Sequence, residues 1–268
     1  MIILRAQRPS PGVAAVVRGY RERVGRSDGS GVVVPLPGRP AQFLEIYLDT
    51  PYRVSTDGGA FATAPEAVLV GPSSRHSTRL WVQGPVATFH IGFQPTGFHR
   101  LFGLGMDQVT DIGAPVDGLG LKPLDDLVDR VRRAPDFQSR ARAADDWIAH
   151  RLAWARPDEA VDRLARLIRR AGSAPPVADM AARVGLSSRQ LQRRFIEQVG
   201  LAPKLYARTV RFDAVLDARE RRPDATWTEL AHRYGYFDQA HLLRDAHAFT
   251  GAAPGALVGE ERPMSDPS

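Results

Sequence analysis

The 268-residue chain contains no cysteine, which removes disulfides, thiolate metal centres and cysteine nucleophiles together. Lysine is nearly missing as well: Lys122 and Lys204 are the only two, so 34 of the 36 basic side chains are arginine. No apolar run approaches the ~18–20 residues of a membrane span, and the opening MIILRAQRPS lacks the charged-then-apolar layout of a signal peptide. A cytoplasmic protein without a membrane partner is the expectation. His76, His90 and His99 stand singly, without the His-x-His pairing of a metal cupin, and there is no G-x-S-x-G elbow or phosphate loop. No metal, cofactor or catalytic residue is therefore expected, and the chain is not read as an enzyme.

What the chain does carry is an uneven charge. Between Arg163 and Gly255 there are 16 basic and 9 acidic residues, a net of +7, while the other residues sum to −1 of the overall +6. A basic surplus confined to one end fits a domain that neutralises phosphates.

That basic end contains one device written twice. Residues 177–199 (VADMAARVGLSSRQLQRRFIEQV) and 226–254 (TWTELAHRYGYFDQAHLLRDAHAFTGAAP) align Ala181 with Ala231 and Gly185 with Gly235. The tails Gly200–Pro203 and Gly251–Pro254 match one residue further on, so the second copy has a longer turn. Each copy reads as a helix-turn-helix. A small residue permits close helix crossing, a glycine ends the first helix in the left-handed conformation, and a capping side chain starts the second. Ser187 stands three residues before Gln190, the capping-box spacing, and Asp238 can cap the other copy. Leu191, Phe195 and Val199 form one apolar side, and Leu242, Ala246 and Phe249 the other.

Ahead of this, the chain divides by pattern. Short apolar runs at 32–36, 42–48, 52–55, 67–70, 79–83 and 86–93, set between Pro and Gly, predict strands. Phe89, Ile91 and Phe93 share one face of the last run, and Thr88 and His90 the other. A strand or helix is expected near Val13–Tyr20, a short helix at 97–103, and amphipathic helices at 123–133 and 137–154. The fold class is α+β with two domains. Residues 1–155 are expected to form a small β-barrel or sandwich domain with trailing helices. Residues 158–258 form an all-α domain with two helix-turn-helix units joined by a long helix at 203–219. Residues 259–268 are a flexible tail.

The segments GLSSRQLQRRF, APKLYARTVRF and GYFDQAHLLRDAHAFTGAAPGAL resemble the AraC/XylS family of bacterial transcription regulators over roughly residues 158–258. VGPSSRH (70–76) and HIGFQPTGFHRLFG (90–103) look like parts of a barrel-type front domain found in some of these regulators. The resemblance implies sequence-specific binding of double-stranded DNA, with the second helix of each unit in adjacent major grooves. By matching, the base-reading positions are Arg189, Gln192 and Arg193 in copy one and Gln239, Ala240 and Arg244 in copy two, with His241 nearby. Arginine can fork onto guanine and glutamine can pair with adenine, whereas Ala240 and Leu243 offer only apolar contact, so copy one is expected to read more sequence.

Ser187, Ser188, Arg194, Lys204, Arg208 and Arg211 are the phosphate candidates. Arg194 and Arg211 have competing assignments, as partners of Glu197 and Asp213. One departure from the family stands at Ala246, where an aromatic is usual. Tyr236, Phe237 and Phe249 are available to fill the gap. The resemblance further implies a regulatory front domain on a cupin-like barrel with a small-molecule effector, a homodimer, or both, and RNA polymerase as a partner if the protein is an activator. It places the protein at the nucleoid. For an effector pocket the expectation is Tyr47, Arg79, Trp81 and His90. The competing reading is a barrel enzyme or ligand-binding protein that binds DNA incidentally.

Overall fold

The computed structural model describes residues 2–27, 30–157, 160–172 and 175–252. The expected tail lies outside the described residues.

The front half is built from two sheets. The larger runs in the order β1 (Ile2–Gln7), β2 (Val17–Arg26), β9 (Pro85–Phe93), β4 (Phe43–Tyr47), β7 (Ala67–Val70), β10 (Gly113–Pro115). The smaller is β3 (Val32–Leu36), β8 (Thr78–Val82), β5 (Arg53–Thr56), β6 (Ala62–Thr63). Alternation sorts the faces of the larger sheet. Phe89, Ile91 and Phe93 of β9 join Leu44 and Ile46 of β4 in one core. Leu124, Leu127 and Val131 of α2 (Lys122–Arg133) and Ala141, Ala144 and Ile148 of α3 (Phe137–Arg151) complete it. The apolar faces of these two helices are thus spent on the sheet.

The expected barrel does not close. Among the described residues no strand of one sheet is hydrogen-bonded to a strand of the other. Two of the four edge strands offer little backbone for pairing: β6 has two residues, and β10 has three and ends on Pro115. A slot remains between the sheets, closed at one end by Tyr47, Tyr52, Leu80, Val82 and Val86.

Behind the sheets, α1 (Gly97–Phe102) leads toward the helical half, which comprises α4 (Ala160–Ala171), α5 (Val177–Arg183), α6 (Ser188–Val199), α7 (Pro203–Arg221), α8 (Trp227–Arg233) and α9 (Gln239–Thr250). Its two cores share one helix. Tyr206, Ala207 and Val210 of α7 pack with α4, α5 and α6, through Ile168, Met180, Leu191 and Phe195. One turn later Phe212, Val215 and Leu216 pack with Leu230, Leu242 and Phe249 of α8 and α9. The connecting helix is thus a common wall of both units. No helix among the described residues is long and apolar enough to cross a membrane.

The halves meet through buried polar contacts. Asp162 of α4 is fully buried; it accepts from the Thr96 hydroxyl, from Arg100 Nη1 at 2.9 Å and from Arg166 Nη1 at 2.7 Å. Gln42 Nε2 donates to Val199 O (3.1 Å) and Thr110 Oγ1 to Gly200 O (2.7 Å), both at the end of α6. Gly38 N donates to Phe249 O (2.6 Å) near the end of α9. The segments 70–76 and 90–103, singled out above, supply Pro72, Gln94 and Thr96 to this junction.

Gly200 caps α6 at φ 89°, and a Cβ there would lie 2.5 Å from Pro72 Cγ and 2.9 Å from Thr110 Oγ1. Gly185 has a similar φ of 66° with nothing within 4 Å of its Cβ position. Gly185→Ala is expected to cost about 1 kcal/mol of backbone strain. Gly200→Ala adds a collision across the junction, and is expected to cost at least about twice that and lower Tm by several degrees. Thermal unfolding of the two variants side by side checks this; equal losses would mean that the junction yields freely.

Candidate nucleic-acid interface

The turn glycines Gly185 and Gly235 both take the left-handed conformation, at φ 66° and 72°. Helix α6 starts on a complete capping box, with the Ser187 hydroxyl accepting from Gln190 N and the Gln190 side chain accepting from Ser187 N. Asp238 caps α9 by accepting from His241 N at 2.7 Å. A second capping box, Thr226 with Glu229, starts α8. It was not among the expectations, although Thr-x-x-Glu carries its signal. Hydrogen bonds from the Thr226 backbone and hydroxyl hold the Glu229 carboxyl below the usual carboxylate range.

Arg189, Gln192 and Arg193 on α6 and Gln239, Ala240 and Arg244 on α9 are all exposed. Ser188, Arg194 and Lys204 are exposed beside the first set. Arg189, Arg193, Arg194, Lys204 and Arg244 form no ion pair with a described residue, so Arg194 is not tied to Glu197. Gln239 accepts from the Thr228 hydroxyl at 3.2 Å, which links the two helices of the second unit.

Arg208 and Arg211 are differently placed. Arg208 sends two nitrogens to Asp245 Oδ1 at 3.1 and 2.7 Å and lies over the Phe249 ring. Arg211 lies over the Tyr236 ring, 3.7 Å from Asp245 Oδ2, rather than pairing with Asp213. Asp245 is buried and also accepts from the Tyr236 hydroxyl. These two arginines brace the second core. Ala246 is buried in one core with Phe249, Tyr236 and Phe212, and the rings of Phe212 and Phe249 lie 5.6 Å apart. Phe237 takes no part, being 87% exposed in the turn.

The slot between the sheets is the second feature with chemical content. Its volume is about 850 Å³, within the range of sites that enclose small molecules. Val54, Val68, Val70 and Leu80 give it apolar walls, and Arg169 of α4 and Asp213 of α7 reach it from the helical half. Seven arginines line it, among them Arg21, Arg23 and Arg39, against the carboxylates Glu45, Asp111 and Asp213.

Of the four pocket residues expected from sequence, Tyr47 and His90 line this space. Arg79 and Trp81 do not. Leu80 and Val82 of β8 belong to the core at the slot's closed end, so alternation turns Arg79 and Trp81 to the outer face, where both pack on Phe61. Burial and the Glu45 carboxyl push the Tyr52 hydroxyl up to about 12, and Tyr47 is raised further by the same causes. Both therefore stay neutral near pH 7. The other two single histidines serve structure: His76 Nδ1 lies 2.9 Å from Leu36 O, and His99 bridges Leu104 O and Arg156.

Two capped helices, each following a tight turn and presenting basic side chains that form no ion pair with a described residue, give the chain a double helix-turn-helix, an arrangement suited to the major groove of DNA. Residues 180–259 match the family model described as a helix-turn-helix domain. Among solved structures, the chain resembles ToxT from Vibrio cholerae, with a TM-score of 0.51 at 8% identity over 89% of this chain and 97% of that one. ToxT bound to (E)-4-(8-methylnaphthalen-1-yl)but-3-enoic acid gives the same TM-score at 10% identity, covering 89% and 97%. The AraC-like transcriptional activator CuxR aligns over 80% of this chain and 86% of its own at 13% identity, with a TM-score of 0.25. No curated protein sequence matches the chain.

Proposed function

We propose that α6 and α9 enter successive major-groove segments on one face of a duplex, about one helical turn apart, so that a single chain reads a bipartite site. Arg189, Gln192, Arg193, Gln239, Ala240 and Arg244 are the base-reading set. Ser187, Ser188, Arg194 and Lys204 are the phosphate set; Arg208 and Arg211 leave it, because Asp245 already engages them. In this reading residues 1–155 regulate and residues 158–258 bind DNA. The observation that carries it is the pair of exposed helix faces whose arginines have no internal partner.

The slot is the effector site in this reading. Its apolar walls and arginine excess suit a small apolar acid, and the similar ToxT fold has been seen with one, a naphthyl-butenoic acid. Helical-half residues in the wall, Arg169 and Asp213, give such a ligand a physical route to the DNA-binding half.

Selection of bound sequences from a random duplex pool tests the DNA reading. The expected product is a two-part motif with centres about 10 bp apart. Recovery of random sequence would sink it. On the selected site, affinity should fall steeply with salt. Lys204→Ala is expected to lower the slope of log K against log salt by roughly one, with the sequence preference unchanged.

A further inference from the structure

We infer that the slot selects an apolar acid that also carries a hydrogen-bond-donating hydroxyl or N–H group, with Glu45 as the specificity-determining acceptor. This rests on the reading of the slot as an effector site and goes beyond it by naming what the ligand must bring.

The geometry starts from the strand register. Arg21 of β2, His90 of β9 and Glu45 of β4 are direct cross-strand neighbours, so one polar row crosses three strands on the face toward the slot. His90 Nε2 lies 3.2 Å from Glu45 Oε1 and 3.0 Å from Thr88 Oγ1, and Phe43 stacks on the imidazole. Glu45 and His90 are each more than nine-tenths buried. Glu45 stands three residues along β4 from Gln42, which touches the helical half, so it sits about 10 Å into the slot at ~3.3 Å per residue.

Acceptor capacity decides what the row wants. A carboxylate offers about four lone-pair positions. Glu45 spends part of this capacity on His90, and its carboxyl stands near enough to the Tyr47 and Tyr52 hydroxyls to push both upward. On its other side the cross-strand neighbour of Glu45 is the apolar Val68 of β7, and Val54 and Leu80 add apolar surface to the same slot. A plain hydrocarbon chain in that space would press against a carboxyl and strip its solvation without return, which is strongly unfavourable. A ligand hydroxyl or N–H at the same depth donates to Glu45 and removes the penalty. Arginines elsewhere in the wall serve the ligand's acid group, so the two ends of the ligand are recognised by opposite chemistry.

Calorimetric titration of the full chain with three probes tests this: decanoic acid, 10-hydroxydecanoic acid and 10-methoxydecanoic acid. The hydroxy acid is expected to bind at least 10-fold tighter than the other two, since the methoxy group accepts but cannot donate. Glu45→Leu should reduce that preference to less than 2-fold, and Glu45→Gln, which keeps one acceptor oxygen and the shape, to a few-fold. If Glu45→Leu does not fold, the partial loss in Glu45→Gln decides the matter. Equal binding of all three acids to the unsubstituted chain overturns the inference and leaves the effector reading standing. So does a hydroxyl preference that survives Glu45→Gln undiminished. Binding of none of the three overturns both.

Discussion

Arg193→Ala and Arg244→Ala are each expected to cost 10- to 100-fold in discrimination between the target duplex and random DNA, about 1–3 kcal/mol, while the fold is retained. Both side chains are exposed at matched places in the two recognition helices, and neither has an internal ion pair to lose. Truncation should therefore leave Tm within about 0.5 kcal/mol equivalent of the parent. Competition binding against selected and scrambled duplexes measures the effect. Unchanged discrimination in both variants would remove these two residues from the reading set. The two losses should also differ in character. Arg193 sits beside Gln192 and Arg189, whereas the counterparts of those two are the half-buried Leu243 and the methyl of Ala240. Arg244 is thus the main polar reader of its helix beyond Gln239, and its loss should erase most of the preference in that half of the motif.

Asp245→Ala is expected to destabilise the second unit by about 3–5 kcal/mol, as breaking a buried charge cluster does when one partner is removed. Asp245 is 1% exposed and holds Arg208 through two hydrogen bonds, Arg211 at 3.7 Å and the Tyr236 hydroxyl at 3.2 Å. Without it, two guanidinium groups lie against Phe249 and Tyr236 with no counter-charge. Asp245→Asn keeps one acceptor oxygen and should lose less. Thermal or urea unfolding would report the difference, and amide exchange would place the loss in α8 and α9. A change below about 1 kcal/mol in the alanine variant would mean that solvent replaces the carboxylate without difficulty.

Much of this architecture is legible in the sequence, for reasons that can be named. The helical units announce themselves through local signals: Ser187 three before Gln190, Gly185 and Gly235 at the turns, and apolar residues at helical spacing. Strands β3 and β7 match their expected runs residue for residue, because their bounding Pro and Gly residues are local too. Strand β1 was not expected, and β2 only at its start, where a strand or helix was expected near Val13–Tyr20. Ile3 and Leu4 are exposed on the sheet edge, and β2 buries Glu22 between Arg5 and Arg140 where an apolar residue would have shown the alternation. The slot's face was half visible, since Thr88 and His90 were placed together opposite the apolar side of β9. Its partner Glu45 was not, because pairing of β4 with β9 joins residues 45 positions apart. The double role of Asp245 was hidden in the same way. Arg208 and Arg211 look like free surface charges until α9 is folded against α7.

The junction has a consequence for which target sites the protein can accept. Backbone carbonyls near the ends of both α6 and α9 take hydrogen bonds from one stretch of the front half, with Gly38 reaching Phe249 and Gln42 reaching Val199. The spacing of the two recognition helices is thus gauged twice, once by α7 between them and once by a five-residue bar laid across their far ends. A ruler with two fixings does not stretch. One base pair inserted between the half-sites moves the second by ~3.4 Å and turns it around the duplex axis. The protein would have to break one fixing to follow. On the proposed reading, stringency toward spacing, separate from stringency toward sequence, lies in residues outside the two recognition helices.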